Sequence, residues 1–278
     1  MCQTTLVKRL VVCADDFGQS RPIDAGIISL ARVGRLTAVS ALALGPALSG
    51  DLPALLATRV EIGLHLDLTE GLGASTSTGL GGLILRCHLG LVGRRALASS
   101  IARQLDGFER AAGRAPAFVD GHRHVHQLPV VRGLLLGELA RRYPAGPPAV
   151  RTTVPRRARG PKAALIAALG GRALRRALDR DGFPRNLDFA GVYGFDAGTP
   201  YRELVQGWLA SLEDGGLLMC HPGEPGDDVI GPARVRELSY LASPEFEADC
   251  AAAAVVRVGF GDLGGAIRPA TGAGIMVR

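Results

Sequence analysis

Four times along this chain a short apolar run stops on, or carries, a residue that can bind a metal or move a proton. Leu10–Ala14 runs into Asp15-Asp16-Phe17-Gly18. Val60–Leu68 contains Gly63-Leu64-His65-Leu66. Ala117–His126 carries Asp120-Gly121-His122-Arg123-His124-Val125-His126. Gly216–Cys220 runs into His221-Pro222-Gly223. Short apolar runs bounded by turn residues read as buried strands. In parallel α/β folds the carboxyl ends of the strands build the active site. One architecture would therefore gather all four clusters at one end.

The intervening segments support that architecture. Ile23, Ile27, Ile28 and Leu30 have helical spacing within Pro22–Arg32, and Gly34 stops the helix. Thr37–Leu44 reads as a strand and Leu52–Thr58 as a helix. Leu72–Gly93, rich in Gly, Ser and Thr, reads as a mobile loop. Helices are expected over Arg95–Ala112, Val130–Tyr143, Lys162–Leu178, Pro200–Leu212 and Pro244–Val256. Val150–Val154 is expected to be a short strand. Gly182–Gly198 reads as irregular and Gly223–Gly231 as a polar loop. Strands alternating with helices imply a parallel α/β sheet. The 278 residues suffice for one large barrel or two small domains, with neither a repeat nor a linker visible. A single domain over 1–278 is expected.

Composition narrows the function classes. At 47% hydrophobic and 21% charged, the chain reads as globular and not as disordered. The net charge of +6 is spread along the sequence, with one dense block at Arg151–Arg180. No aromatics interleave there, so a stacking platform for nucleic acid is not expected. Cys2, Cys13, Cys87, Cys220 and Cys250 are odd in number and form no CxxC pair, which fits free thiols in a reducing compartment. No convincing signal peptide or membrane-length apolar run is visible, so a cytoplasmic protein without stable membrane insertion is expected.

The polar clusters carry the chemistry. Asp15 and Asp16 cannot share a face inside a regular strand, because side chains alternate. They can enter one pocket only where the strand ends and the chain turns, and Gly18 offers such a turn. Adjacent carboxylates repel unless a cation separates their roles, one ligating and the other accepting a proton. In an extended strand Asp120, His122, His124 and His126 would all face one side. His122 and His126 would then lie about 13 Å apart, so without a bend the three imidazoles cannot bind one ion. One or two would be ligands, and the others would orient them or touch substrate. Isolated His65 or His221 reads more readily as core, and His88 as surface. Together the clusters offer two or three imidazole nitrogens and a carboxylate, a donor set suited to Zn²⁺, Mn²⁺, Co²⁺ or Mg²⁺. Three protein ligands with an open position, a spare Asp and a spare His describe metal-assisted hydrolysis.

In their order and spelling, Cys13-Ala14-Asp15-Asp16-Phe17-Gly18, Gly63-Leu64-His65-Leu66, Asp120–His126 and Met219-Cys220-His221-Pro222 resemble the YdjC/ChbG carbohydrate deacetylases. The hopanoid-biosynthesis deacetylases look like further relatives. The resemblance spans about Leu10 to Leu241. It implies a (β/α) barrel, TIM-like and incomplete or distorted. It implies removal of an acetyl group from an N-acetylated sugar, oligosaccharide or glycolipid. Asp16, His65 and His122 would hold a divalent metal, with His126 as the competitor for the third place. Asp15 would be the general base, His221 the general acid, and Arg151 would orient Asp15 or bind substrate. A homodimer is also implied. The family often has Asn where this chain has Asp24, a position expected to line the pocket. Leu72–Gly93 departs from the chitooligosaccharide enzymes, so the specific sugar does not transfer. The alternatives are a metal hydrolase of another amide or a phosphoester, and a sugar-binding protein without catalysis.

Overall fold

The computed structural model describes residues 7–69, 79–196 and 198–263. Its strands are β1 (Lys8–Phe17), β2 (Ala38–Ala41), β3 (Glu61–Leu66), β4 (Phe118–Gly121), β5 (Ala149–Val150), β6 (Asp188–Ala190), β7 (Gly216–Cys220) and β8 (Val255–Arg257). They form one sheet in the order β5-β4-β3-β2-β1-β7-β6, with β8 paired to the first residues of β1. Every pairing is parallel. Helices cover the outside, and the sheet curls into an incomplete barrel. β1 lies at the middle, and Leu10 to Phe17 are all buried. A strand covered on both faces needs no alternation, which is why this run reads as continuously apolar.

No ladder joins β5 to β6 among the described residues. Asn186 spans the gap instead. Its Oδ1 accepts the Thr152 N–H at 2.7 Å, and its Nδ2 donates to Thr152 O at 3.0 Å and to Asp188 O at 2.9 Å. The Val150 N–H adds a bond to Pro184 O at 2.9 Å.

Several expectations need correction. Part of the expected loop at Leu72–Gly93 is a helix, Gly79–His88, while 70–78 lie outside the described residues. Leu83 and Cys87, one turn apart, bury against the core and outweigh the glycines. The expected strand Ala117–His126 stops at Gly121, and His122–Gln127 is a tight helical turn. The expected irregular stretch Gly182–Gly198 contains β6. The last helix ends at Ala252, and Val255–Arg257 pair with β1. Only Ala149–Val150 of the fifth strand forms a ladder. A helix at Gly231–Ala242 went unread. Lys162–Leu178 is broken by a wider turn at Ala167–Gly171, where Gly170 has φ +155°. A Cβ on Gly170 would meet Gln127 O at 2.3 Å, so backbone contact sets that break.

Most of the basic block is tied down. The Arg159 guanidinium pairs with buried Asp188 at 2.6 and 2.8 Å, Arg156 pairs with Glu213 at 2.7 Å, and Arg180 bonds its neighbour Asp181. Cys13, Cys87, Cys220 and Cys250 are buried free thiols, and Cys2 lies outside the described residues. No helix among the described residues is long and apolar enough to cross a membrane.

Candidate active site

A cavity of about 870 Å³ opens over the carboxyl ends of the strands. Asp15, Asp16, His65, His122 and His221 all line it. β1 brings both aspartates there by a bulge, not by ending. Ala14 pairs with Val39 and Phe17 with Ala41, so one extra residue sits on β1 across Asp15 and Asp16. Asp16 takes φ +71°, a left-handed backbone that non-glycine residues rarely adopt. The expected turn at Gly18 is therefore preceded by one at Asp16 itself. Such strain gathers at functional positions.

The Asp120–His126 segment fans its imidazoles apart. Arg123 and His124 both have left-handed backbones, at φ +51° and +61°. Gly121 makes the fold-back possible, because a Cβ there would lie 2.9 Å from the His126 backbone nitrogen. His122 Nδ1 reaches Asp16 Oδ1 at 2.9 Å. His124 packs edge-on to Phe189, with ring centres 5.9 Å apart. His126 Nε2 donates to Arg151 O at 3.0 Å. The single shared face expected from strand alternation is thus overturned: the bend sends each ring to a different neighbour.

Asp16, His65 and His122 come together, each offering a donor atom within 4.8 Å of the others. The His65 Nδ1–H donates to Asp120 Oδ1 at 2.6 Å, with Ser40 Oγ bonded to the same oxygen. That bond orients the ring and turns Nε2 toward Asp16, 3.3 Å away. Burial works against a charged His65, but Asp120 and Asp15 outweigh it and lift its pKa to about 10. Burial likewise raises Asp16, yet His122, His65 and Arg234 together hold it well below the ordinary range. The pocket thus favours positive charge beside the Asp16 oxygen. Two imidazoles and a carboxylate with that preference fit a divalent cation of the zinc or manganese type.

Asp15 faces differently. Arg151, fully buried, grips it at both oxygens, Nη1 to Oδ2 at 2.7 Å and Nη2 to Oδ1 at 2.5 Å. Nη2 also lies 2.5 Å from Asp120 Oδ2 and 3.0 Å from Cys13 Sγ. Cys13, Asp15 and Asp120 are close enough to hold an ion of their own, but this guanidinium sits among them. Arg151 thus contacts Asp15 directly and does not line the cavity. His221 Nε2 stands 4.0 Å from Asp15 Oδ2. Burial lowers the His221 pKa to about 4, so the imidazole rests neutral.

Asp24 does not line the cavity either. It is fully buried and accepts the Gly18 N–H at 2.6 Å, and burial pushes its pKa up to about 7. His88 bonds Ile84 O on its own helix, away from the centre. Sequence reasoning missed Ser40, Arg234 and Glu237. Arg234 donates to Asp16 Oδ2 at 2.7 Å and pairs with Asp228. Glu237 Oε2 accepts the His221 N–H at 2.5 Å. A serine inside the apolar run Thr37–Leu44 was the available signal for the first. Pro232 in the first turn of a helix was the signal for the other two.

The upper wall is apolar: Leu80 and Ile84 from one helix, Ile166 and Leu169 from another, and Val229 and Ile230 from a loop. Leu165 and Val229 are 57% and 99% exposed at its edge.

Comparison with known proteins shows the family. A human protein named carbohydrate deacetylase is 31% identical, covering 92% of this chain and 91% of its own length. A chitooligosaccharide deacetylase of Enterobacter sp. (strain 638) is 29% identical, over 86% of this chain and 93% of its own. A crystal structure from Enterococcus faecalis V583, proposed to be a cellobiose-phosphate cleavage protein, shares the fold. Its TM-score is 0.70 at 20% identity, covering 93% of this chain and 99% of that one. Residues 9–252 match the family of YdjC-like proteins, to which this chain belongs.

Proposed function

We propose that this protein is a metal-dependent carbohydrate deacetylase, hydrolysing the N-acetyl amide of an amino sugar to acetate and a free amine. The observation that carries the reading is the convergence of Asp16, His65 and His122 on one point, with Asp15 and His221 flanking it 4.0 Å apart. The names of the human and bacterial relatives support the substrate class. Asp16, His65 and His122 would hold the divalent ion, which supplies polarisation of the amide carbonyl and of the attacking water.

The rest belongs to the chain's own side chains. Asp15, held by Arg151, accepts the proton of the attacking water. His221 rests neutral, so it can take that proton from Asp15 and deliver it to the departing nitrogen. The proton count then closes without an outside donor: water supplies hydroxyl to the acyl carbon and a proton to the amine. Arg151 and His126 keep Asp15 in place, and Asp120 and Ser40 keep His65 oriented. The apolar patch of Leu80, Ile84, Ile166, Leu169 and Val229 offers contact area to an apolar group carried by the sugar, beside the polar Gln19, Glu224 and Asp227.

The test is acetate release from a panel of N-acetylated sugars and glycolipids. The protein is stripped with chelator and reloaded with Zn²⁺, Mn²⁺, Co²⁺ or Mg²⁺. Release that depends on the metal supports the reading. A bound equivalent of metal with no acetate from any substrate would turn the assignment to a non-sugar amide or a phosphoester. No metal binding would overturn the centre itself.

A further inference from the structure

The helix Gly231–Ala242 sends two side chains, three residues apart, to opposite sides of the centre. Arg234 reaches the Asp16 side. Glu237 reaches the His221 side and is fully buried. Its carboxylate accepts the His221 N–H at 2.5 Å, the Tyr193 hydroxyl at 2.6 Å and the Tyr201 hydroxyl at 3.4 Å. The His221 N–H can only donate and needs an acceptor oxygen, which the Glu237 carboxyl offers.

His221 has little else to fix its ring. Its Nδ1 has no hydrogen-bond partner among the described residues, and Pro222 follows it. What steadies the imidazole is its backbone, with the amide on Glu237 and the carbonyl accepting from Arg234 Nη1 at 3.4 Å, and the edge-on contact with Phe195, ring centres 5.2 Å apart. Phe195 in turn leans on Tyr193 at 4.5 Å, and the Tyr193 hydroxyl ends on Glu237. Two of these three holds, the amide and the ring contact, therefore lead to one carboxylate. Stability alone does not call for it, since a buried ionisable group is costly where an apolar side chain of similar volume would pack. We propose that Glu237 is a positioning residue that fixes His221 above Asp15. The inference rests on the reading of His221 as proton donor to the leaving amine.

The experiment is a double-mutant cycle on the metal-loaded enzyme, with acetate release as the readout. Glu237→Gln keeps the volume but leaves one acceptor oxygen where the carboxylate has two, so the His221 N–H and the two hydroxyls can no longer all be held as they are. It is expected to lower kcat on the order of 10- to 100-fold, the scale of a displaced catalytic group, with KM moved less than about threefold. Bound metal should stay at one equivalent. In the His221→Gln background the same change should cost nothing further, because the group it positions is gone. A second drop of the same size in that background would overturn the proposal, since Glu237 would then act elsewhere. Near-normal turnover by His221→Gln alone would sink the proton-donor reading instead, and the positioning role with it. Should Glu237→Gln fail to fold, Tyr193→Phe carries the test: a smaller kcat loss is expected, again absent in the His221→Gln background, and an equal loss in both backgrounds overturns the inference.

Discussion

The floor of the cavity is made of strand ends and its rim of helices and a loop, and the two differ in almost every physical respect. On the floor, Asp15, Asp16 and His65 are buried to within 2% and each is bonded to at least one other charged or polar side chain. On the rim, Ile84, Leu165, Ile166, Leu169 and Val229 offer carbon to the same space, with Lys162 pinned to Tyr193 O at 2.7 Å. Networks of buried, mutually oriented polar groups tolerate little displacement. Apolar contact is non-directional and scales with area. The floor can therefore set the reaction while the rim sets what is held there, and each can vary without the other.

That division can be broken by experiment, most severely at the floor. Removing a ligand by His65→Ala, or stripping the ion with chelator, should cost at least about 10³-fold in kcat, because polarisation by a bound cation contributes several kcal/mol. Readdition of metal should restore the stripped protein but not the variant. Asp15→Asn should lower kcat roughly 10²- to 10⁴-fold, the range for loss of a general base, while leaving one equivalent of metal bound. Near-normal turnover would remove Asp15 from that role. At the rim, Ile166→Ser should raise KM about tenfold for an acetylated sugar bearing an apolar tail, with kcat unchanged. A matched sugar without the tail should respond much less; equal responses would dissolve the distinction between floor and rim.

The smallest effect lies beneath the floor and concerns stability. Asp24 titrates near pH 7 in the folded protein against an ordinary value of 3.8. Between those values the folded chain binds the extra proton, so stability falls as pH rises through that window. Asp24→Asn can still accept the Gly18 N–H and cannot ionise. It should raise Tm at pH 8, with the advantage shrinking toward pH 4. A gain independent of pH would show that Asp24 is not the group responsible.

The two regions also differed in how much the sequence disclosed. The floor was legible because chemistry-bearing residues interrupt apolar runs, and strand ends in a parallel sheet share one side. Which histidine meets Asp16 was not derivable from alternation. That depended on two left-handed residues, Arg123 and His124, and on the space Gly121 leaves beside His126. The rim was hardest to read. Gly79–His88 is thick with glycine, and its burial of Leu83 and Cys87 outweighs local propensity. Arg234 and Glu237 approach the centre from a helix more than two hundred residues downstream of Asp15, which no local pattern announces.

One consequence follows from where the Arg151 guanidinium lies. It occupies a nest of Cys13, Asp15 and Asp120 that could otherwise draw in an ion. The chain thus brings its own cation to that nest, tethered covalently, unable to dissociate and beyond the reach of any chelator. Its charge cannot be exchanged for another element, and its planar fork fixes direction as a spherical ion would not. With an ion at Asp16, His65 and His122 as proposed, such a centre would take one exchangeable ion per chain.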